Sequence, residues 1–413
     1  MSARVIVRGV ATTLLWLGLS LQARAEVIEI TASFTPDPSR PQVNEFKNTT
    51  INSGYCANYP TECGRWNIFS IATAMSVNSN HLITARHTNP RQGAMFNMPA
   101  DWRDVNVIDE SGRNNAVVQV CIAGIGGQYR LSRRVQELIG EEMDPYHAHN
   151  KLWTNGDWLD APRPCEIGPA SGLDDWSWTF FWKTPVVGVC AKQAAFDIPG
   201  LSYESVDFAY ELRTPNPLKM APGTYTGTMQ YTVGANADFD MGDVMQPTVS
   251  AIQLHFTLTV NHVLAVEIPP GGNEVQLVPA GGWQAWLQQG RKPNRLLRDQ
   301  TFNIWTSTPF KMQLSCVIDL GNTCGLQDAE GNRVPVNVAV SLPYGLTRNG
   351  QSVERQPLRL DGQGTERFEP NLYVARKPGT LHFSVEQDGV RQMLDLGSAK
   401  FSGDVTVVWD SEV

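Results

Sequence analysis

The stretch Ile252-Gln-Leu-His-Phe-Thr-Leu-Thr-Val-Asn-His-Val-Leu-Ala-Val-Glu-Ile-Pro-Pro-Gly-Gly272 contains two apolar runs in close succession. In the first run an apolar residue recurs at every second position, which is the period of a β-strand with one buried face: Leu254, Phe256, Leu258 and Val260. The second run follows Asn261-His262 and ends at Pro269-Pro270. So short a connection predicts that the last strand of one β domain leads into the first strand of another, with the boundary at about Asn261.

Both sides of this boundary show β-type patterns. Upstream, short apolar runs alternate with clusters of Gly, Pro, Asn and Asp, which favours an antiparallel sandwich or barrel; they include 28–34, 116–122, 178–182 and 224–233. The downstream runs are 275–278, 301–305, 312–317, 336–340, 380–385 and 403–409. One exception has helical spacing and predicts a short amphipathic helix: Leu131, Val135, Leu138 and Ile139. The chain is therefore predicted to be all-β, with domains at 26–261 and 262–413.

The first 25 residues have the pattern of a secretory signal peptide. Arg4 and Arg8 precede an apolar run from Val10 to Leu21, and Ala23-Arg24-Ala25 has the small-x-small form of a cleavage site. Cleavage after Ala25 would remove three Arg and no acid, which leaves 30 basic and 41 acidic residues and a formal charge of 30 − 41 = −11. An exported protein of this charge is expected to bind no nucleic acid.

All seven cysteines follow the predicted cleavage site, and six of them lie close together in pairs. In an oxidising compartment this spacing favours three local disulfides, Cys56 with Cys63, Cys165 with Cys190 and Cys316 with Cys324. Cys121 is then expected to be buried and free, although sequence alone also allows it to replace one of these partners. Zinc is disfavoured because the spacings do not match the two to four residues between zinc ligands. We expect neither a metal nor a cofactor.

Catalytic patterns are incomplete. The run Asn80-His-Leu-Ile-Thr-Ala-Arg-His87 is similar to the strand that carries the base of chymotrypsin-like proteases, but no downstream serine loop could form an oxyanion hole. His147-Ala-His149 has no third metal ligand close in sequence, so two solvated loop histidines are the preferred interpretation. Gly124-Ile-Gly-Gly127 does not have the spacing of a phosphate-binding loop. The chain is not predicted to be an enzyme.

Tryptophans are concentrated in one part of the first domain: Trp153, Trp158, Trp176, Trp178 and Trp182. An exposed indole is a stacking platform for a sugar ring, but β-sandwiches commonly bury tryptophan, so core packing is the preferred role for most of them.

The last strand of the chain is predicted at its C-terminal end. Val405, Val407 and Trp409 share one face of this strand, and the chain ends four residues later at Val413. A terminal strand of this kind is one that an assembly partner can extend by main-chain pairing.

Two segments carry a resemblance to a known family. Residues 221–234, Ala-Pro-Gly-Thr-Tyr-Thr-Gly-Thr-Met-Gln-Tyr-Thr-Val-Gly, and residues 255–269, His-Phe-Thr-Leu-Thr-Val-Asn-His-Val-Leu-Ala-Val-Glu-Ile-Pro, resemble the adhesin-to-pilin junction of CblD-like pilus initiators and CfaE-like class 5 tip adhesins of the alternate chaperone-usher pathway. The last strand, from Phe401 to Trp409, resembles the same family. Its adhesin members bind receptors partly through arginines after the strand that matches 224–233, whereas residues 234–240 of this chain contain no arginine.

The resemblance implies two immunoglobulin-like β-sandwiches in tandem, of which the second is an incomplete pilin domain. A periplasmic chaperone would fill the gap beside Val405, Val407 and Trp409, with Val413 as an anchor. The N-terminal donor strand of the next pilin subunit would then replace the chaperone at the outer-membrane usher. The first domain would bind a host glycan or glycoprotein receptor through residues that the sequence does not identify. The protein would pass through the periplasm to the fimbrial tip at the cell surface.

An alternative remains open. The run from Ile28 to Phe34 has the alternation of a donor strand, which would suit a structural or minor shaft pilin without receptor binding. Against this, more than two hundred residues precede the second sandwich, whereas a shaft pilin has one domain.

Overall fold

The computed structural model describes residues 25–397 and 399–411. The predicted signal peptide lies outside the described residues except for Ala25, and so does Val413. Within the described chain the fold is all-β with two domains and two large separate cores.

The first domain is formed by the elements up to Val260. Its strands are β1 (Ala25–Phe34), β2 (Lys47–Asn48), β3 (Phe69–Ala72), β4 (Val77–Ser79), β5 (Ala94–Asn97), β6 (Arg103–Asp109), β7 (Asn115–Leu131), β8 (Glu166–Gly168), β9 (Ser177–Lys183), β10 (Val189–Lys192), β11 (Leu201–Arg213), β12 (Gly223–Thr232), β13 (Met245–Pro247) and β14 (Ala251–Val260). Its helices are α1 (Tyr55–Asn58), α2 (Pro60–Trp66), α3 (Val135–Ile139) and α4 (Pro145–Leu152), with 3-10 turns at Pro90–Gln92 and Pro217–Lys219.

Twelve of these strands form one sheet with the order β13-β4-β11-β7-β6-β12-β14-β1-β2, to which β3, β8 and β9 are added at the side. Strand β7 explains how one sheet can enclose a core. Along one edge it pairs with β11, while its other edge pairs first with β6 and then with β9. Gly124, Gly126 and Gly127, which do not have the spacing of a phosphate-binding loop, lie near the point where β7 changes partner from β6 to β9. At Gly127, with φ at +156°, a Cβ atom would lie 2.1 Å from the Ser205 carbonyl oxygen, so only glycine fits this irregular pairing.

The second domain begins after Asn261. Its strands are β15 (Leu264–Glu267), β16 (Val278–Pro279), β17 (Leu296–Thr306), β18 (Lys311–Cys316), β19 (Asp319–Leu320), β20 (Thr323–Gln327), β21 (Arg333–Ser341), β22 (Leu346–Arg348), β23 (Gln351–Ser352), β24 (Gln356–Leu358), β25 (Glu369–Pro370), β26 (Val374–Val385) and β27 (Val405–Asp410), with helices α5 (Gln284–Gln289) and α6 (Gln387–Asp395).

The main sheet of this domain has the order β15-β17-β26-β21-β20-β19, and β18 pairs with β27 in a separate sheet. Alternate residues of both sheets enter one core, among them Phe302 and Val338 from the first and Met312 and Leu314 from the second. The domain is therefore a sandwich whose two layers differ greatly in size.

Local predictions have mixed outcomes. The predicted helix is confirmed as α3 with Val135 and Ile139 buried, but Leu131 belongs to strand β7 instead. The strand predicted at 275–278 is wrong for its first three residues, since β16 begins at Val278. In this segment the apolar run is interrupted by Gln276, and of the four predicted residues only Val278 pairs with another strand, opposite Leu297 of β17.

Candidate functional site: an open strand edge in the second domain

Strand β27 has a partner on one side only within the described chain. It pairs antiparallel with β18 from Val405 opposite Cys316 to Asp410 opposite Lys311. On its other side no strand of the described residues pairs with it. Its backbone groups there are in position to pair with a strand from another chain.

The inward face of β27 is apolar. Val405, Val407 and Trp409 are half-buried and pack against the core of the second domain, while Thr406 is exposed. The Trp409 ring lies 4.9 Å from the ring of Phe302 and 5.8 Å from that of Phe310. These side chains have the alternation expected of one strand face, but they are incompletely covered.

Strand β15 also borders this core with one edge unpaired. This strand pairs with β17, from Leu264 opposite Thr306 to Glu267 opposite Asn303, and with no other strand in the described part of the chain. Leu264 and Val266 are half-buried against the same core as the side chains of β27. Two unpaired strand edges therefore border one incompletely covered core.

The sequence analysis did not predict that Leu264 and Val266 of β15 border the open core. Leu264 and Val266 alternate with Ala265 and Glu267, so the same period of two that identifies β27 was present in this run. What the sequence could not provide is the fact that β15 and β27, about 140 residues apart, border the same core.

The ends of β27 are fixed by different means. Lys311 Nζ lies 2.8 Å from Asp410 Oδ2 at one end, and both side chains are only partly exposed. At the other end Cys316, opposite Val405, is bonded to Cys324 of β20. The edge is thus held in register on the side of β18, which leaves the opposite side accessible.

The other cysteines belong to the first domain. Cys56 is bonded to Cys63 between α1 and α2, and Cys165 is bonded to Cys190. Cys121 is buried and free. Burial raises the pKa of the Cys121 thiol to about 11, and the nearby Glu211 acts in the same direction. A neutral, buried thiol is a poor nucleophile.

Strand β1 is fully used inside its own domain. It pairs in parallel with β14 over ten residues, from Ala25 opposite Ala251 to Phe34 opposite Val260. Its inward side chains are buried in the core of the first domain: Ile28, Ile30, Ala32 and Phe34. This strand has the alternation of a donor strand because it completes the sheet of its own chain.

The junction between the domains is bonded on both sides. His262 Nε2 lies 2.9 Å from the Met220 carbonyl oxygen of the first domain, and Nδ1 lies 3.0 Å from Ser307 Oγ of the second. Because a carbonyl only accepts, Nε2 carries the proton and Nδ1 accepts from the serine hydroxyl. Burial lowers the pKa of His262, which favours this neutral form. The bridge restricts movement at the predicted boundary.

The histidines of the segments 80–87 and 147–149 lie in the first domain and take no part in the open edge. The interpretation of His147 and His149 as two solvated loop residues is wrong in part: both lie on helix α4, where His147 is exposed and His149 is buried. Its Nδ1 lies 2.7 Å from Tyr129 Oη and its Nε2 lies 2.8 Å from the Asp174 carbonyl oxygen. His87 Nδ1 lies 3.1 Å from the Asn89 carbonyl oxygen in an irregular loop.

Four of the five clustered tryptophans are buried, Trp153, Trp158, Trp178 and Trp182, and only Trp176 is partly exposed. Within residues 25–397 and 399–411, no group of three His, Cys, Asp or Glu side chains is arranged to hold a metal ion. No helix of this part of the chain is long and apolar enough to cross a membrane.

No family model and no curated protein matches the chain. The solved structures similar to it include a chaperone-tip adhesin complex of CFA/I fimbriae, at 8% identity and a TM-score of 0.25, covering 94% of this chain and 97% of that chain. A mutant of the CFA/I adhesin CfaE of enterotoxigenic E. coli has 9% identity and a TM-score of 0.25, with 94% and 95% covered. The CsuC-CsuE chaperone-tip pre-assembly complex of Acinetobacter baumannii has 8% identity and a TM-score of 0.22, with 94% and 99% covered. TM-scores this low carry no argument about the function of this chain.

Proposed function

We propose that this protein is the tip subunit of a pilus assembled by the chaperone-usher pathway, that it initiates assembly, and that its first domain adheres to a host surface receptor. The observation that carries the proposal is the open edge of β27, with Val405, Val407 and Trp409 half-buried beside it. A core bordered by two unpaired strands is an association site.

The partners follow from the chemistry of that edge. An extended strand with alternating apolar side chains would pair with the backbone of β27 and cover the core. We assign this role first to a periplasmic chaperone and then to the donor strand of the next pilin subunit, exchanged at the outer-membrane usher. Val413, which lies outside the described residues, is proposed as a further contact of the chaperone. No catalytic step is needed.

The pairing of β1 within its own domain favours a tip subunit over a shaft pilin. A shaft pilin needs its N-terminal strand free to complete a neighbouring subunit, whereas β1 is paired along its whole length and contributes four buried side chains to its own core. The structural or minor shaft pilin is therefore the second candidate. Its support is limited to the donor-like alternation from Ile28 to Phe34.

The proposal includes an export signal at 1–25, an adhesin domain at 26–261 and a pilin domain at 262–413. The separate cores and the bonded junction at His262 support this division. Exported in this way, the protein would pass through the periplasm and be displayed at the fimbrial tip.

Two adjacent substitutions on β27 test the proposal. Val407→Asp places a charge beside the core, at a cost of roughly several kcal/mol, while Thr406→Asp places the same charge on the exposed face. In a pull-down from periplasm we expect Val407→Asp to lose the chaperone and Thr406→Asp to keep it. An unchanged melting transition of the first domain controls for general misfolding.

Two results would contradict the proposal. If Val407→Asp recovers as much chaperone as the unmodified protein, the face of β27 is not the contact. If Thr406→Asp loses the chaperone equally, the strand does not bind through one face.

A further inference from the structure

A polar cleft of about 300 Å³ lies in the loop that follows β4. Its position follows from strand register. Strand β14 reaches the junction at Val260, so its first residue, Ala251, lies about 30 Å from the junction at roughly 3.3 Å per residue. The segment that precedes Ala251 is hydrogen-bonded to the cleft loop. The Asp243 amide donates to the Arg91 carbonyl, and the Asn80 amide donates to the Val244 carbonyl. The cleft loop is therefore bonded to the segment that enters β14 at the end of this strand away from the junction.

The loop that forms the cleft is fixed by the rest of the domain. Ile83 is fully buried and bridges to Ile198. The Arg86 amide donates to the Ala194 carbonyl at 2.7 Å, and Gln193 Nε2 donates to the His87 carbonyl at 2.6 Å. A binding site on this loop would need little ordering when a ligand arrives, which reduces the entropic cost of binding.

A partly buried charge cluster also fixes the loop. The Arg91 guanidinium donates to Asp240 and Asp243, each at 2.7 Å. These hydrogen bonds raise the pKa of Arg91. Arg91, next to the lining residue Gln92, is thus already paired with two carboxylates, and the exposed Arg86 of the same loop is not among the residues that line the cleft.

The cleft itself is lined by neutral groups that donate and accept hydrogen bonds. The side chains of Thr84, Thr88 and Gln92 make no hydrogen bond within the described chain, and no Asp, Glu, Lys or Arg of the described residues lines the cleft. Leu82, which is 41% exposed, adds an apolar edge. Such a lining suits a ligand with hydroxyl groups on one side and a C–H surface on the other.

Two imidazoles contribute to the lining, of which His81 is exposed as an acceptor while the Nε2 atom of His87 is packed on Gly93. His81 Nδ1 lies 2.8 Å from the Leu82 carbonyl oxygen, and His87 Nδ1 lies 3.1 Å from the Asn89 carbonyl oxygen. Since a carbonyl cannot donate, each neutral ring carries its proton on Nδ1 and leaves Nε2 with a free lone pair. Nε2 of His87 is buried and has no partner in the described chain.

Gly93 is the reason that the His87 ring fits. A Cβ atom at position 93 would lie 2.2 Å from His87 Nε2 and 2.3 Å from Cε1. Any larger residue would therefore push the ring out of its place. The absence of a side chain there keeps this wall of the cleft in one position.

From these observations we infer that the cleft binds the terminal residue of an uncharged glycan. The inference rests on the proposed tip function, because it makes this cleft the receptor site of the exposed domain. A sugar hydroxyl both donates and accepts, which matches the threonine hydroxyls, the side-chain amides and the exposed His81 imidazole. An acidic sugar would find no free cation among the described lining residues.

Ligand-observed saturation-transfer NMR on the full chain tests this inference. The probes are methyl α-mannopyranoside, methyl β-galactopyranoside and methyl N-acetyl-β-glucosaminide, with N-acetylneuraminic acid as the charged comparison. We expect saturation transfer to at least one neutral glycoside and none to the acidic sugar. The double variant Thr88→Val/Gln92→Leu removes two polar groups with little change of shape and should weaken binding at least about tenfold.

The matched control is Thr226→Val/Gln230→Leu, which makes the same changes on exposed positions of β12 and should bind as the unmodified protein does. The inference is overturned if none of the neutral glycosides binds, if only the acidic sugar binds, or if the cleft variant binds as well as the control. Each of these results leaves chaperone binding through Val407 unaffected, so failure of the cleft and failure of the tip function are distinguishable.

Discussion

Asp207 is a buried carboxyl group in the first domain, with 7% of its surface exposed. One oxygen accepts the Tyr55 amide at 2.8 Å, and Gly126 and Gly54 pack closely around the side chain. Burial raises the pKa of Asp207 from its ordinary value of 3.8 to about 6, although the Tyr55 amide opposes this change. The ionised form is therefore disfavoured in the folded protein.

The sign of the resulting pH dependence is set by the raised pKa. The folded state binds the proton more tightly than the unfolded state, so the contribution of Asp207 to stability is complete below pH 3.8 and is lost as the pH rises through about 6. By pH 7.5 the loss amounts to about 3 kcal/mol, at about 1.4 kcal/mol for each unit between the two pKa values.

We predict that Asp207→Asn stabilises the protein relative to the unmodified chain at pH 7.5 more than at pH 4.5. The amide keeps an acceptor for Tyr55 and cannot ionise. Chemical denaturation at the two pH values measures the difference. A stability difference for Asp207→Asn that is the same at both pH values would refute the role given to burial.

Strand β1 shows at the level of an element what a single alternating pattern can and cannot reveal. Its buried face was visible in the sequence, because Ile28, Ile30, Ala32 and Phe34 alternate. Its partner was not, because β14 lies more than two hundred residues further along and pairs in parallel. A donor strand for another chain and a strand for its own sheet have the same local pattern, and only long-range pairing separates them.

Contacts between residues far apart in the sequence also limited three other predictions. The role of β27 at the open core could be predicted from its period of two and its position in the sequence. Strand β15 could be predicted as a strand, but not as a second strand that borders the same core. The burial of His149 depends on Tyr129 and Asp174, which a local reading of His147-Ala-His149 does not include. The change of partner along β7 depends on strands β6 and β9, although the glycines of β7 were visible in the sequence.

We predict that Ile30→Asp and Val27→Asp differ strongly although they lie on the same strand. Ile30 is 1% exposed, so a carboxylate there would be buried without a partner, at a cost on the order of 4 kcal/mol. Val27 is 53% exposed, and its replacement should change stability by no more than about 0.5 kcal/mol. Thermal melting of the two variants provides the comparison. If both melt as the unmodified protein does, β1 is not a part of the core and would be free to complete a neighbour.

On the scale of the whole molecule, two cores of different completeness are joined by a short bonded segment. The core of the first domain is enclosed by a twelve-stranded sheet and includes its own N-terminal strand. The core of the second is bordered by the unpaired edges of β15 and β27. His262 connects the two domains through the Met220 carbonyl and the Ser307 hydroxyl. We therefore expect one end of the molecule to be complete and the other to require a partner.

Separate expression of residues 26–261 and 262–413 tests this central expectation most directly. The first fragment should be soluble and monomeric and should melt cooperatively, because its own strand β1 completes its core. The second should aggregate when expressed alone and become soluble when a chaperone or a donor strand is supplied, because an uncovered apolar core is an association site. A second fragment that is soluble, monomeric and cooperatively folded without any added strand would contradict the account.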